Sequence, residues 1–219
     1  MSRKALLAPT CVLAALAAAC NGPSGPRNTG VYLLLDTSGT YREELEKAEH
    51  IINYTLSHLD ANDTFAVARI DTGSFSEKDI IAKVTLDDRP STANMQKRQF
   101  SEELGDFLAR VDPARFTDIS GGLLQAVEFL NEKAPGRKTI LIFSDLEEDL
   151  EEGYVRDLSS VPLDGFEVIA LNVTKLRSDN IDPRNYLDRL EEWRRRIEAG
   201  GGTWRVINDL DRLEGLLRS

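Results

Sequence analysis

Asp36, Ser38 and Thr40 stand at alternate positions directly after five apolar residues, 31–35. Alternate side chains of an extended chain leave it on the same side, so one carboxylate and two hydroxyls can face a single point. Three hard oxygen donors suit a cation such as Mg²⁺, Mn²⁺ or Ca²⁺ rather than a soft metal. Two residues of the same kind recur further on. Thr117 precedes Asp118, Ile119 and Ser120 at what reads as a helix start, and Asp145 follows a second apolar run, residues 139–143. Neither histidine joins them. His50 and His58 are eight residues apart on one predicted helix, which does not give the i, i+4 pair of a zinc site.

The elements that must position these residues are legible from periodicity. Runs 31–35 and 139–143 are continuously apolar, the pattern of strands buried on both faces of a parallel sheet. Each ends in an acid, so two buried strands deliver aspartates to one carboxyl edge, where open α/β sheets bind ligands. Further strands are expected at 64–70, at 80–86 with the mixed composition of an edge strand, at 167–171 and at 203–207. Helices are expected at 42–59, 97–110, 119–130, 154–160, 182–199 and 209–217, with 87–93 as a loop. Thr117 or Asp118 caps the third of these, Asp182 and Pro183 open the fifth, and Gly200, Gly201 and Gly202 stop it. Strands and helices alternate without an internal repeat or a second linker. The expectation is one α/β domain, doubly wound and Rossmann-like, with a mostly parallel central sheet and helices on both faces.

The acid and hydroxyl pattern resembles the metal-ion-dependent adhesion site of the von Willebrand factor type A domain. That site reads Asp-x-Ser-x-Ser in the first loop, Thr in the second and Asp in the third. Asp36, Ser38 and Thr40 match the first loop, with threonine in place of the last serine, Thr117 the second, and Asp145 the third. The resemblance covers residue 31 to about 217, and the domain is expected over 31–219. It implies a divalent cation, Mg²⁺ first and Mn²⁺ or Ca²⁺ as alternatives, and a protein partner that offers an acidic side chain to the ion's open position. Glu147, Glu148 and Asp149 complicate the match, since they could repel such a partner or occupy that position themselves. Asp36 and Thr40 with Asp145 and Asp149 also look like haloacid-dehalogenase phosphatases. Those enzymes need a second aspartate two residues after the first as general acid, and Ser38 stands there. No serine elbow, phosphate loop or dinucleotide fingerprint occurs, so a binding module rather than an enzyme is expected.

A net charge of −10 and a pI near 4.8 argue against a nucleic-acid partner. The densest basic run, Arg194 to Arg196, lies among Glu191, Glu192 and Glu198 and reads as a solvated helix face. The amino terminus is different. Arg3 and Lys4 precede an apolar run from Ala5 to Ala19, the layout of a signal peptide over residues 1–19. Cys20 follows small residues and precedes a Gly- and Pro-rich tether to residue 30. This arrangement resembles the lipobox of bacterial lipoproteins, with Ala17 where leucine is usual. The resemblance implies lipidation of Cys20 and a membrane-anchored protein on the periplasmic side of a bacterial envelope, with Asn21 leaning to the outer membrane. Loss of Arg3 and Lys4 with the leader leaves 25 basic against 37 acidic residues, a net −12, so the lipid and not the protein face would hold the chain at an anionic surface.

Overall fold

The computed structural model describes residues 26–39, 41, 44–74, 76–158 and 161–209. The expected signal peptide, Cys20, Thr40 and nearly all of the expected last helix lie outside the described residues. The elements run β1 (Thr29–Asp36), α1 (Leu45–His58), β2 (Thr64–Ile70), β3 (Ile80–Thr85), α2 (Pro90–Leu108), α3 (Ile119–Lys133), β4 (Arg137–Phe143), β5 (Phe166–Leu171), α4 (Arg184–Ala199) and β6 (Thr203–Ile207). They build a six-stranded sheet in the order β3-β2-β1-β4-β5-β6. Every neighbouring pair is parallel except β2 with β3, which is antiparallel and places β3 at an edge, as its composition predicts.

β1 is central because its residues suit burial on both faces. Val31, Leu33 and Leu35 join one core with Ile51, Ile52 and Leu56 of α1 and Phe100 and Leu104 of α2. Tyr32 and Leu34 point the other way, into a core with Leu123, Val127 and Leu130 of α3 and Trp193 and Ile197 of α4. This alternation is the period of two that a strand imposes, and it gives a doubly wound layer order. Strand order reverses between β1 and β4, which pair in parallel register up to Leu35 opposite Phe143. Their carboxyl ends therefore meet at the switch point of the sheet.

Two glycines let α3 approach β1. A Cβ at Gly122 would lie 2.8 Å from Leu34 Cδ2, and a Cβ at Gly121 would collide with the Asp118 carboxyl group. Asp118 caps the helix by accepting from Gly121 N at 2.8 Å, so the paired glycines serve both the cap and the packing.

Two expected elements differ. α2 begins at Pro90 and not near residue 97, because proline at the first helical position has a suitable φ and lacks an N–H that would be unbonded there anyway. It ends at Leu108. The short helix expected over 154–160 is absent from 154–158. Tyr154 and Val155 are exposed there, Arg156 is drawn away to Asp118, and only Leu158 reaches the core. The first helix is observed from Leu45.

Close approach of α3 to β1 sets a test. Leu34→Ala should destabilise by about 2–5 kcal/mol, and Gly122→Ala alone by about 1–3 kcal/mol through overpacking. The double substitution should cost less than the two together, because the added methyl enters the space vacated by Leu34. Urea unfolding of the three variants measures the coupling.

Candidate functional site

Asp36 ends β1 and is buried. Its Oδ1 accepts from Ser38 N at 2.8 Å, its Oδ2 accepts from Ser144 Oγ at 2.6 Å, and the Ser38 side chain also bonds to it. Ser144 Oγ in turn accepts from Leu146 N at 3.0 Å. One hydroxyl thus ties the end of β1 to the loop that leaves β4. Asp145, the next residue, is also buried and accepts Glu147 N on Oδ1 at 2.9 Å.

The second loop is stitched to both. Ala114 N donates to Thr37 O at 2.9 Å, and Thr117 and Asp149 exchange two backbone bonds of 2.7 and 3.1 Å. The structure therefore brings Asp36, Ser38, Thr117 and Asp145 to one edge; Thr40, the fifth expected residue, lies outside the described residues. A cleft of about 510 Å³ opens there, lined among others by Ser38, Arg115, Thr117, Asp145, Glu147 and Asp149. A neighbouring cleft of about 580 Å³ between the 148–158 segment and α4 shares Glu148 but holds no comparable set of acids and hydroxyls.

Glu148 does not block the site. Its carboxylate accepts from Ser120 N at 2.7 Å, at the start of α3, and pairs with Arg196 at 3.2 Å. A negative group at a helix amino terminus is favourable, which explains the choice of partner. Glu147 and Asp149 remain exposed on the rim.

The sequence reading missed the residues that hold this edge in shape. Arg189 Nε donates to Asp145 O at 2.9 Å while its guanidinium pairs with buried Asp179 at 2.9 Å. Trp193 Nε1 donates to Leu146 O at 3.1 Å. With Arg196 these lie at i, i+4 and i+7 on α4, one face of a helix. Arg194 pairs with Glu191 and Arg196 also with Glu192, as a solvated face would, but Arg196 reaches further, to Glu148. On the opposite side Arg156 pairs with Asp118 at 2.7 Å, and Asp118 also accepts Ser74 N at 3.1 Å. A helix periodic in Tyr186, Leu190, Trp193 and Ile197 could have indicated that Arg189 and Arg196 border the buried stripe.

Burial raises the Asp145 pKa to about 6; the Glu147 N–H opposes this and the charge of Asp36 adds to it. Asp36 is pushed up chiefly by burial, against the bonds from Ser144 and Ser38. Among the described residues no lysine or arginine forms an ion pair with either acid; Arg189 pairs with Asp179, touches the carbonyl of Asp145 and lowers the Asp145 pKa only through its charge at longer range. Nor do three or more His, Cys, Asp or Glu converge anywhere among those residues. The edge thus offers two carboxylates without a direct ion-pair partner beside neutral hydroxyls, a donor set that fits one hard divalent cation and not zinc.

Neither a protein-family model nor a curated protein matches the chain. Solved structures do. A von Willebrand factor type A protein from Catenulispora acidiphila aligns with 88% of this chain and 41% of its own, at 16% identity and a TM-score of 0.54. The pilus adhesin SpaC from Lactobacillus rhamnosus GG, in an open conformation, aligns with 87% of this chain and 29% of its own, at 14% identity and a TM-score of 0.57. The chain thus spans less than half the length of either. The architecture is the von Willebrand factor type A fold, a doubly wound α/β sheet.

The raised Asp145 pKa fixes the sign of a pH effect. The unfolded acid titrates near 4 and the folded one near 6, so the ion-free fold carries no penalty from this group below about pH 4 and its full penalty above about pH 6. A two-unit shift corresponds to roughly 3 kcal/mol. Asp145→Asn should therefore be more stable relative to wild type at pH 7 than at pH 4, measured by urea midpoints in chelator.

Proposed function

We propose that this chain is a divalent-cation-dependent protein-binding module. Asp36, Ser38, Thr40, Thr117 and Asp145 would hold the ion, Mg²⁺ first and Mn²⁺ or Ca²⁺ as alternatives. The observation that carries the reading is the meeting of Asp36 and Asp145 at the β1–β4 switch point, both buried and without a cationic partner among the described residues. When bound, the ion supplies an electrophilic centre that an external carboxylate can ligate. Ser38 and Thr117 add neutral oxygen, so the ion's charge is not exhausted by the protein. Asp145 is oriented by Glu147 N and Arg189, and Asp36 by Ser38 and Ser144.

The phosphatase alternative is weaker. Both oxygens of Asp36 are engaged in hydrogen bonds, and Ser38 supplies no acid for a leaving group. The similarity of fold to a pilus adhesin is compatible with a binding role. Attachment through a lipidated Cys20 to the periplasmic side of a bacterial membrane, the outer one by the lean of Asn21, completes the proposal. Among the described residues no helix is long and apolar enough to cross a membrane.

Thermal unfolding against Mg²⁺ and Mn²⁺ tests the ion. Wild type should gain stability with saturation, about 2.7 kcal/mol at a hundred times the dissociation constant. Asp36→Asn and Thr117→Ala should lose most of that gain, and equal shifts in all three proteins would place the ion elsewhere. Hydrolysis of a generic phosphate monoester that vanishes in Asp36→Asn would restore the phosphatase. For the anchor, detergent phase partitioning and intact mass of protein from a lipidating host are decisive. Cys20→Ser should move to the aqueous phase without the acyl mass, and unchanged partition and mass would refute the anchor.

A further inference from the structure

Resting on the cation reading, we infer that the partner segment of this edge pairs its metal-binding acid with a lysine or arginine close by in its own sequence. Glu147 and Asp149 line the cleft, are exposed, and form no ion pair with a described residue. Asp149 is also fixed in place. It exchanges both backbone bonds with Thr117 across an isolated antiparallel bridge, so the two side chains leave the same face about 5 Å apart.

Thr117 itself points to a ligand. It is only 6% exposed, lines the cleft, and its hydroxyl makes no hydrogen bond to a described residue. An acidic side chain at the ion therefore arrives next to Asp149. Glu148 is paired with Arg196, which it shares with Glu192. Arg115, stacked 5.3 Å over the Phe116 ring, is the one cationic residue among the described residues that line this cleft.

A divalent ion balances Asp36 and Asp145. Among the described rim residues, Glu147 and Asp149 against Arg115 then leave one net negative charge before any ligand arrives. A ligand bringing only a carboxylate deepens that imbalance, whereas one bringing a carboxylate and a flanking cation sets the cation against Glu147 and Asp149 together. The net charge of −10 for the whole chain acts in the same direction at longer range. Exposed pairs are individually weak, so two of them should give a preference on the order of tenfold, reduced by salt.

The test is selection from a phage-displayed random peptide library on the immobilised full chain in Mg²⁺, with bound phage released by chelator and sequenced. Released peptides should be enriched in Asp or Glu with Lys or Arg within about three residues, and a synthetic peptide of that consensus should bind on the order of tenfold better than its Lys/Arg→Ala form. On the Glu147→Lys, Asp149→Lys double variant the acid enrichment should persist while the basic enrichment disappears. Acid enrichment without neighbouring Lys or Arg would overturn the inference. The same basic enrichment on the charge-reversed variant would overturn it too, as general attraction to an acidic protein. Melting shifts with Mg²⁺ separate the two readings. A wild-type shift without chelator-released peptides refutes the partner inference and leaves the ion standing; no shift refutes the ion and this inference with it.

Discussion

Two carboxylates buried side by side at the ends of neighbouring parallel strands are the constraint on which the rest of this structure depends. Asp36 and Asp145 have left water and have no cation to pair with among the described residues. Burying charge without compensation is expensive, so the surroundings must supply hydrogen bonds and hold them in place. Ser144 does so for Asp36 while also accepting Leu146 N, which couples the two strands' exits through one hydroxyl. Asp145 lines the cleft, and neither acid has a direct ion-pair partner among the described residues.

Holding that arrangement falls to elements distant in sequence. Leu146 takes a positive φ of 65°, unusual for a residue with a side chain, directly after Asp145. Such a turn persists where the surroundings over-determine it. Here Trp193 binds its carbonyl, Ser144 its amide, and its side chain is buried in the core shared with α3 and α4. Asp179, itself buried, keeps Arg189 aimed at the neighbouring carbonyl. On the far side Asp118 is shared among the α3 amino terminus, Ser74 and Arg156, which locks the Thr117 loop against the 154–158 segment.

The strands and most helices were legible because the signals for them are local. Continuous apolar runs mark β1 and β4, and an acid after each marks the edge where they end. The two-residue uncertainty at α3 closed on Asp118 and not Thr117, whose backbone is instead committed to Asp149. What the sequence hid is of another kind. Arg156 with Asp118, Arg189 with the Asp145 carbonyl and Arg196 with Glu148 join residues 38, 44 and 48 positions apart. No periodicity encodes such pairs, and an arginine beside glutamates on a helix looks solvated until the fold brings a third acid to it. Pro90 misled for a related reason, since proline interrupts a helix or starts one depending on which backbone donors are already spare.

The grip of α4 on the acid-bearing loop has a consequence for how this molecule comes apart. Within α4, Trp193 and Ile197 are the buried residues, while β1 at the centre of the sheet is enclosed from Val31 to Asp36. Elements with few buried contacts open at lower free energy than the centre of a sheet. An excursion that lifts α4 frees the carbonyls of Asp145 and Leu146 together and takes Arg196 from Glu148, which keeps its bond from Ser120 N. The amides of Leu146 and Glu147 keep their own acceptors, Ser144 Oγ and Asp145 Oδ1, so the turn loses its outer support before its inner hydrogen bonds. The outer brace of the acid edge is a helix that never touches it with a carboxylate of its own.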